Sequence, residues 1–129
     1  MSTDPASDNH RQEQLLVPLD AEDVAALGSD GEQLAALFAA ALHGLALLRT
    51  GRASAAELAA AIEGTTGLLE RLEAVRDASL RLPAAKGISH GDLAKAMHLE
   101  SRATAQSRRR TLLKKPVSDL ERWATGTTD

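Results

Sequence analysis

Apolar residues recur along this chain at intervals of three and four, and that period predicts helices throughout. Leu34, Leu37, Phe38, Ala41, Leu42, Leu45 and Leu48 share a stripe that predicts a helix over residues 30–49. Ser29 and Glu32 form an S-x-x-E capping box at its start, and Gly51 marks its stop. Ser54 and Glu57 repeat the box and open the longest pattern, residues 54–82, with Leu58, Ile62, Leu69, Leu72 and Val75 on one stripe. Pro83 ends it by disfavouring helical geometry in the preceding residue. Its heptad seam lasts only about two repeats, short of a sustained coiled coil. Gly64 and Gly67 each cost about 1 kcal/mol against alanine inside a helix, so they either admit a second helix closely or mark a kink.

Shorter patterns complete the set. Asp20 caps a helix over 20–27 that Gly28 ends, and Ser118 with Glu121 caps one over 118–124 that Gly126 ends. Between Pro83 and Pro116 two more are expected, 89–97 and 101–115. Ser89 and Asp92 resemble a capping box for the first, and Ser101 caps the second. The fold class is therefore all-α: a helical bundle with N-terminal dimerisation helices and a C-terminal helix-turn-helix. Residues 1–14 lack aliphatic periodicity and read as a disordered arm in which His10 and Arg11 are solvated. Residues 15–82 form a packing and dimerisation region, and 83–129 a second region packed with helix 54–82.

Composition sharpens the expectation of a dimer. The chain has 129 residues with one Phe, one Trp and no Tyr, so its core must be built from Ala, Leu, Val and Ile. Alanine buries little apolar surface, and burial is worth about 25 cal/mol per Å². A single copy would be marginal, and helices 30–49 and 54–82 are expected to pair with a second. Trp123 is expected to bury its ring against the body. The absence of cysteine fits a cytoplasmic protein. The apolar run 34–48 contains His43 and is too short to span a bilayer, so no membrane is expected as a partner.

Charge divides the chain. Residues 1–85 carry six arginines against thirteen carboxylates, whereas 86–129 carry nine cations against five, within a net charge of −3. A basic end on an acidic body suits a protein that offers one face to a polyanion. With Ala105 and Leu112 facing the core, helical geometry puts Ala103, Ser107, Arg110 and Lys114 on the opposite face and Gln106 on its flank. Such a helix suits the major groove of double-stranded DNA.

The stretch DLAKAMHLESRATAQSRRRTLL resembles the helix-turn-helix of small actinobacterial regulators related to the fourth region of sigma factors. Leu93, Ala94, Met97, Leu99, Ser101, Arg102, Ala105, Arg108 and Arg109 fall on that family's pattern. His98 stands in place of its usual turn glycine, and Glu100 lengthens the turn by one residue. The resemblance covers about a quarter of the chain. It implies a transcription regulator in which the helix before the motif packs on it.

The expected DNA-contacting residues are Ser101, Arg102, Thr104, Gln106, Ser107, Arg109, Arg110 and Lys114. Among them Arg102, Gln106 and Arg110 suit base edges, because arginine grips guanine and glutamine adenine in bidentate fashion. Ser101, Ser107, Arg109 and Lys114 suit phosphates, and Arg108 is expected to run its stem along the core face. No phosphate-loop, dinucleotide-binding, nucleophile-elbow or zinc-protease string occurs, and His90 and His98 are too far apart for an adjacent-turn metal pair. No enzyme activity, cofactor or metal is expected. The alternative reading is a helical interaction module whose arginines meet sigma factor, polymerase or another acidic protein surface.

Overall fold

The computed structural model describes residues 17–82 and 87–126, and among them every regular element is a helix. In chain order these are α1 (Ala21–Thr50), α2 (Ala55–Leu80), α3 (His90–Ala96), α4 (Arg102–Leu113) and α5 (Asp119–Thr125). The arm expected at 1–14, with His10 and Arg11, lies outside the described residues, as do Pro83 and the three positions after it. The described chain divides into two compact units between Ala35 and Ala36.

In the first unit, Asp20 caps α1 by accepting a hydrogen bond from the Asp23 amide at 2.9 Å. Gly28 interrupts the helix where a stop was expected, with φ 57° and ψ −141°, a conformation that glycine adopts without the clash of a Cβ. The capping box expected at Ser29 and Glu32 is not formed. A cap residue needs extended backbone, and within α1 only Gly28 departs from helical geometry. Val17, Leu19, Val24 and Leu27 are exposed.

The second unit is built on a close crossing of α1 and α2. A Cβ added to Gly64 would stand 2.6 Å from the Ala40 Cβ, and one added to Gly44 would stand 2.7 Å from the Ala61 Cβ. Glycine and alanine therefore let the two backbones approach, which decides between the two roles open to Gly64. The Ser54–Glu57 box is complete, with both reciprocal hydrogen bonds at 3.1 Å.

The face of α2 that packs inward differs from the expected stripe. Gly64, Leu68 and Ala74 are buried, whereas Ile62, Leu69, Leu72 and Val75 are exposed. The two faces stand roughly a third of a turn apart at about 100° per residue. On α1, likewise, Gly44 is buried while Phe38, Leu42, Leu45 and Leu48 remain open. Where the two backbones come closest the small residues face inward, because only small side chains permit so close a crossing. One expectation needs amending: by length and composition, α1 is long and apolar enough to cross a membrane, since the helix runs well beyond the 34–48 run.

Leu80, at the end of α2, joins Leu93, Ala94 and Ala105 in a buried cluster, with Ile88, Met97, Leu99 and Leu112 packed against it. This small core holds α3 and α4 to α2. Helix α5 lies along α2, where the Arg71 guanidinium stands 5.7 Å from the centre of the half-buried Trp123 ring.

Candidate nucleic-acid interface

The turn between α3 and α4, residues 97–101, is built from local hydrogen bonds. His98 donates to the Lys95 carbonyl at 3.2 Å and Leu99 to the Ala94 carbonyl at 2.8 Å. Those two bonds, with His98 at φ 55°, form a Schellman closure in which histidine occupies the position usually held by glycine. Leu99 then packs beside Ala94 in the core, as that closure favours. The turn thus takes the left-handed geometry despite the missing glycine.

Ser101 follows in extended backbone, φ −147° and ψ 158°, and its Oγ accepts from the Thr104 amide at 3.2 Å. The Thr104 hydroxyl lies 3.0 Å from the same Oγ, so both side chains are occupied in fixing the first turn of α4. Helix α3 starts in a similar way at Ser89, whose Oγ accepts from the Asp92 amide at 3.2 Å. Its box is only half made, because the short Asp92 carboxylate takes the serine hydroxyl at 3.0 Å and not the cap amide.

Arg102, Gln106, Ser107, Arg110 and Lys114 are all exposed along α4. The Arg102 stem leans towards the start of α3, where a Cβ on Gly91 would meet its Cδ and Nε at 3.7 Å. Lys114 is the C-terminal cap of α4. The face is a row of amide, hydroxyl and cationic groups with its solvent side open.

Two neighbouring arginines exchange the places expected of them. Arg109, assigned to phosphate, is buried at 7% exposure, whereas Arg108, assigned to the core face, is exposed. The reason is periodic: Arg109 stands four residues after Ala105 and three before Leu112, so it falls inside the stripe those two define. Its long aliphatic stem fills the place of an apolar side chain. Arg108 instead lines two adjoining cavities between α2 and the helix pair, of about 510 and 330 Å³.

A second group of contacts, not foreseen from the sequence, fastens this helix pair to the body. Arg81, the cap residue after α2, pairs through Nε with Glu121 Oε1, and its Nη2 donates to the carbonyls of Lys115 and Pro116 at 3.1 and 3.2 Å. Glu121 also closes the Ser118 capping box of α5, with both bonds at 3.1 Å. The Arg81 hydrogen bond, assisted by Ser118 and opposed by burial, holds the Glu121 carboxyl below its ordinary value. The sequence signal for this latch was half visible in S-x-x-E at 118–121; its partner lies 40 residues away. Among the described residues, no group of three or more His, Cys, Asp or Glu converges as a metal site would require.

Comparison of the chain with known family models, curated proteins and solved structures finds no match.

Proposed function

We propose that this protein is a small, non-enzymatic transcription regulator of the cytoplasm that binds double-stranded DNA through α3 and α4 as a helix-turn-helix. The observation that carries this reading is the open face of α4, where Arg102, Gln106 and Arg110 stand exposed on a helix held by core contacts on its other side. Arginine and glutamine there suit base edges, while Ser107 and Lys114 suit phosphates. Arg108 replaces the buried Arg109 in the phosphate-contacting role. Ser101 and Thr104 act by setting the first turn of α4. The resemblance of DLAKAMHLESRATAQSRRRTLL to sigma-related regulators agrees with this use of the helix pair.

A homodimer formed through α1 and α2 completes the proposal. It would set two reading helices about one DNA turn, or a multiple of it, apart and favour a palindromic site. Selection of bound fragments from fragmented genomic DNA tests the reading. The expected result is one recurrent sequence, bound more tightly than random competitor and with affinity that falls steeply as salt rises.

The exposed side chains Phe38, Leu42, Ile62 and Leu69 favour a second reading, in which the chain is an interaction module for another protein such as sigma factor or polymerase. Failure to bind any duplex DNA at low salt by a folded protein would leave this second reading as the better account.

A further inference from the structure

The larger cavity beside the helix pair has the makings of a ligand site that shares Arg108 with the residues assigned to phosphate. Its volume of about 510 Å³ falls within the range of roughly 300–1,000 Å³ common for small-molecule pockets. Leu80 and Leu93, only 6% and 4% exposed, belong to its lining, so its floor is the hydrophobic core itself. Met97 adds a side chain that adapts readily to the shape of an apolar guest.

The rim is cationic. Arg76 and Arg108 line both this cavity and the smaller one adjoining it, where Lys115 adds a third cation and Asp77 the single carboxylate. Asp77 approaches Arg76 only at 3.5 Å, and Arg108 makes no ion pair among the described residues. Two arginines over an apolar floor match a ligand with an apolar body and a planar anionic head, because guanidinium and carboxylate can pair through two parallel hydrogen bonds.

We propose that the cavity between α2, α3 and α4 binds a small amphipathic carboxylate, with its apolar body on Leu80, Leu93 and Met97 and its carboxylate between Arg76 and Arg108. The site is placed to act on the helix pair, since His98 of the strained turn also lines it. Occupancy would neutralise Arg108 and hold the turn in one conformation. If the DNA-binding reading holds, bound carboxylate lowers the affinity of α4 for phosphate.

The chain has two methionines, Met1 and Met97, so the ¹³C-labelled Met97 methyl gives a resolved signal inside the cavity, assigned by its loss in Met97→Leu. The full chain is titrated with phenylbutyrate, with neutral phenylbutanol and with butyrate, without DNA. The Met97 signal is expected to move and saturate with phenylbutyrate, with both controls at least about tenfold weaker. Arg76→Gln and Arg108→Gln should each weaken phenylbutyrate about five- to tenfold with unchanged thermal melting, while Lys95→Gln, outside the cavity, leaves it unchanged. Equal affinity for phenylbutanol, indifference to both arginine variants, or an unmoved Met97 signal would overturn the proposal. DNA affinity is measured separately by fluorescence anisotropy with and without phenylbutyrate. Binding of phenylbutyrate by a chain that binds no DNA would leave the site standing and remove the DNA reading; the converse would do the opposite.

Discussion

His98 holds a left-handed backbone, φ 55°, where glycine would be free of strain, and the hydrogen bonds of the turn and the burial of Leu93 and Ala94 keep it there. His98→Gly is expected to raise stability by about 1 kcal/mol in urea unfolding, with the turn unchanged. Glu121 supplies a pH-dependent term. Its carboxyl is held below the ordinary value chiefly by Arg81, so the unfolded chain binds that proton more readily than the folded one. Its contribution is complete above the unfolded value and is lost as pH falls through the folded one. Stability should therefore decline from about pH 5 downward, and Glu121→Gln should flatten that decline while costing about 2 kcal/mol at neutral pH. Glu57, lowered by its backbone and hydroxyl bonds to Ser54, has the same sign and leaves a residual slope in the variant.

Each helix answers to its most crowded contact. At the α1–α2 crossing, an alanine methyl at Gly64 would stand 2.6 Å from another methyl, closer than Cβ atoms tolerate. Gly64→Ala should gain about 1 kcal/mol in helix propensity yet lose up to about 3 kcal/mol to overpacking. A lowered melting temperature checks that the second effect wins. On α4, Arg102→Ala should cost about 1–3 kcal/mol of DNA affinity and relax preference at one base pair. Lys114→Ala should weaken all sequences alike and reduce the salt slope by about 1. Arg109→Ala should lower the melting temperature, because it empties a place in the core stripe. If Arg102→Ala and Lys114→Ala both leave DNA affinity untouched in a folded protein, α4 is not the reading helix.

At the scale of the molecule, large apolar side chains stay open along the outer stripes of α1 and α2: Ile62 is 67% exposed and Leu69 55%. A dimer covering these stripes should give a mass in light scattering of twice the 13.6 kDa chain. Ile62→Asp with Leu69→Asp should return it to 13.6 kDa with its helix content kept, since neither side chain is part of the chain's own core. A wild type that scatters as a single chain at working concentrations would remove the dimer and leave the stripes for another partner.

Local interactions fixed much of this from the sequence alone. The break at Gly28, the stop at Gly126, the caps at Ser54, Ser101 and Ser118, and helices α2 to α5 all depend on groups within about four positions of one another, whereas the helices expected at 20–27 and 30–49 run on through Gly28 as α1. Tertiary structure decided which face of each helix turns inward. Periodicity reports that a helix is amphipathic, whereas the inward face of α2 was selected by how closely Gly64 and Ala61 let α1 approach. Arg109 entered the core because its place in the stripe of α4 outweighed its residue type. The Arg81–Glu121 latch and the cavity beneath Arg108 required elements distant in sequence to meet, and such long-range meetings leave no periodic trace in the chain.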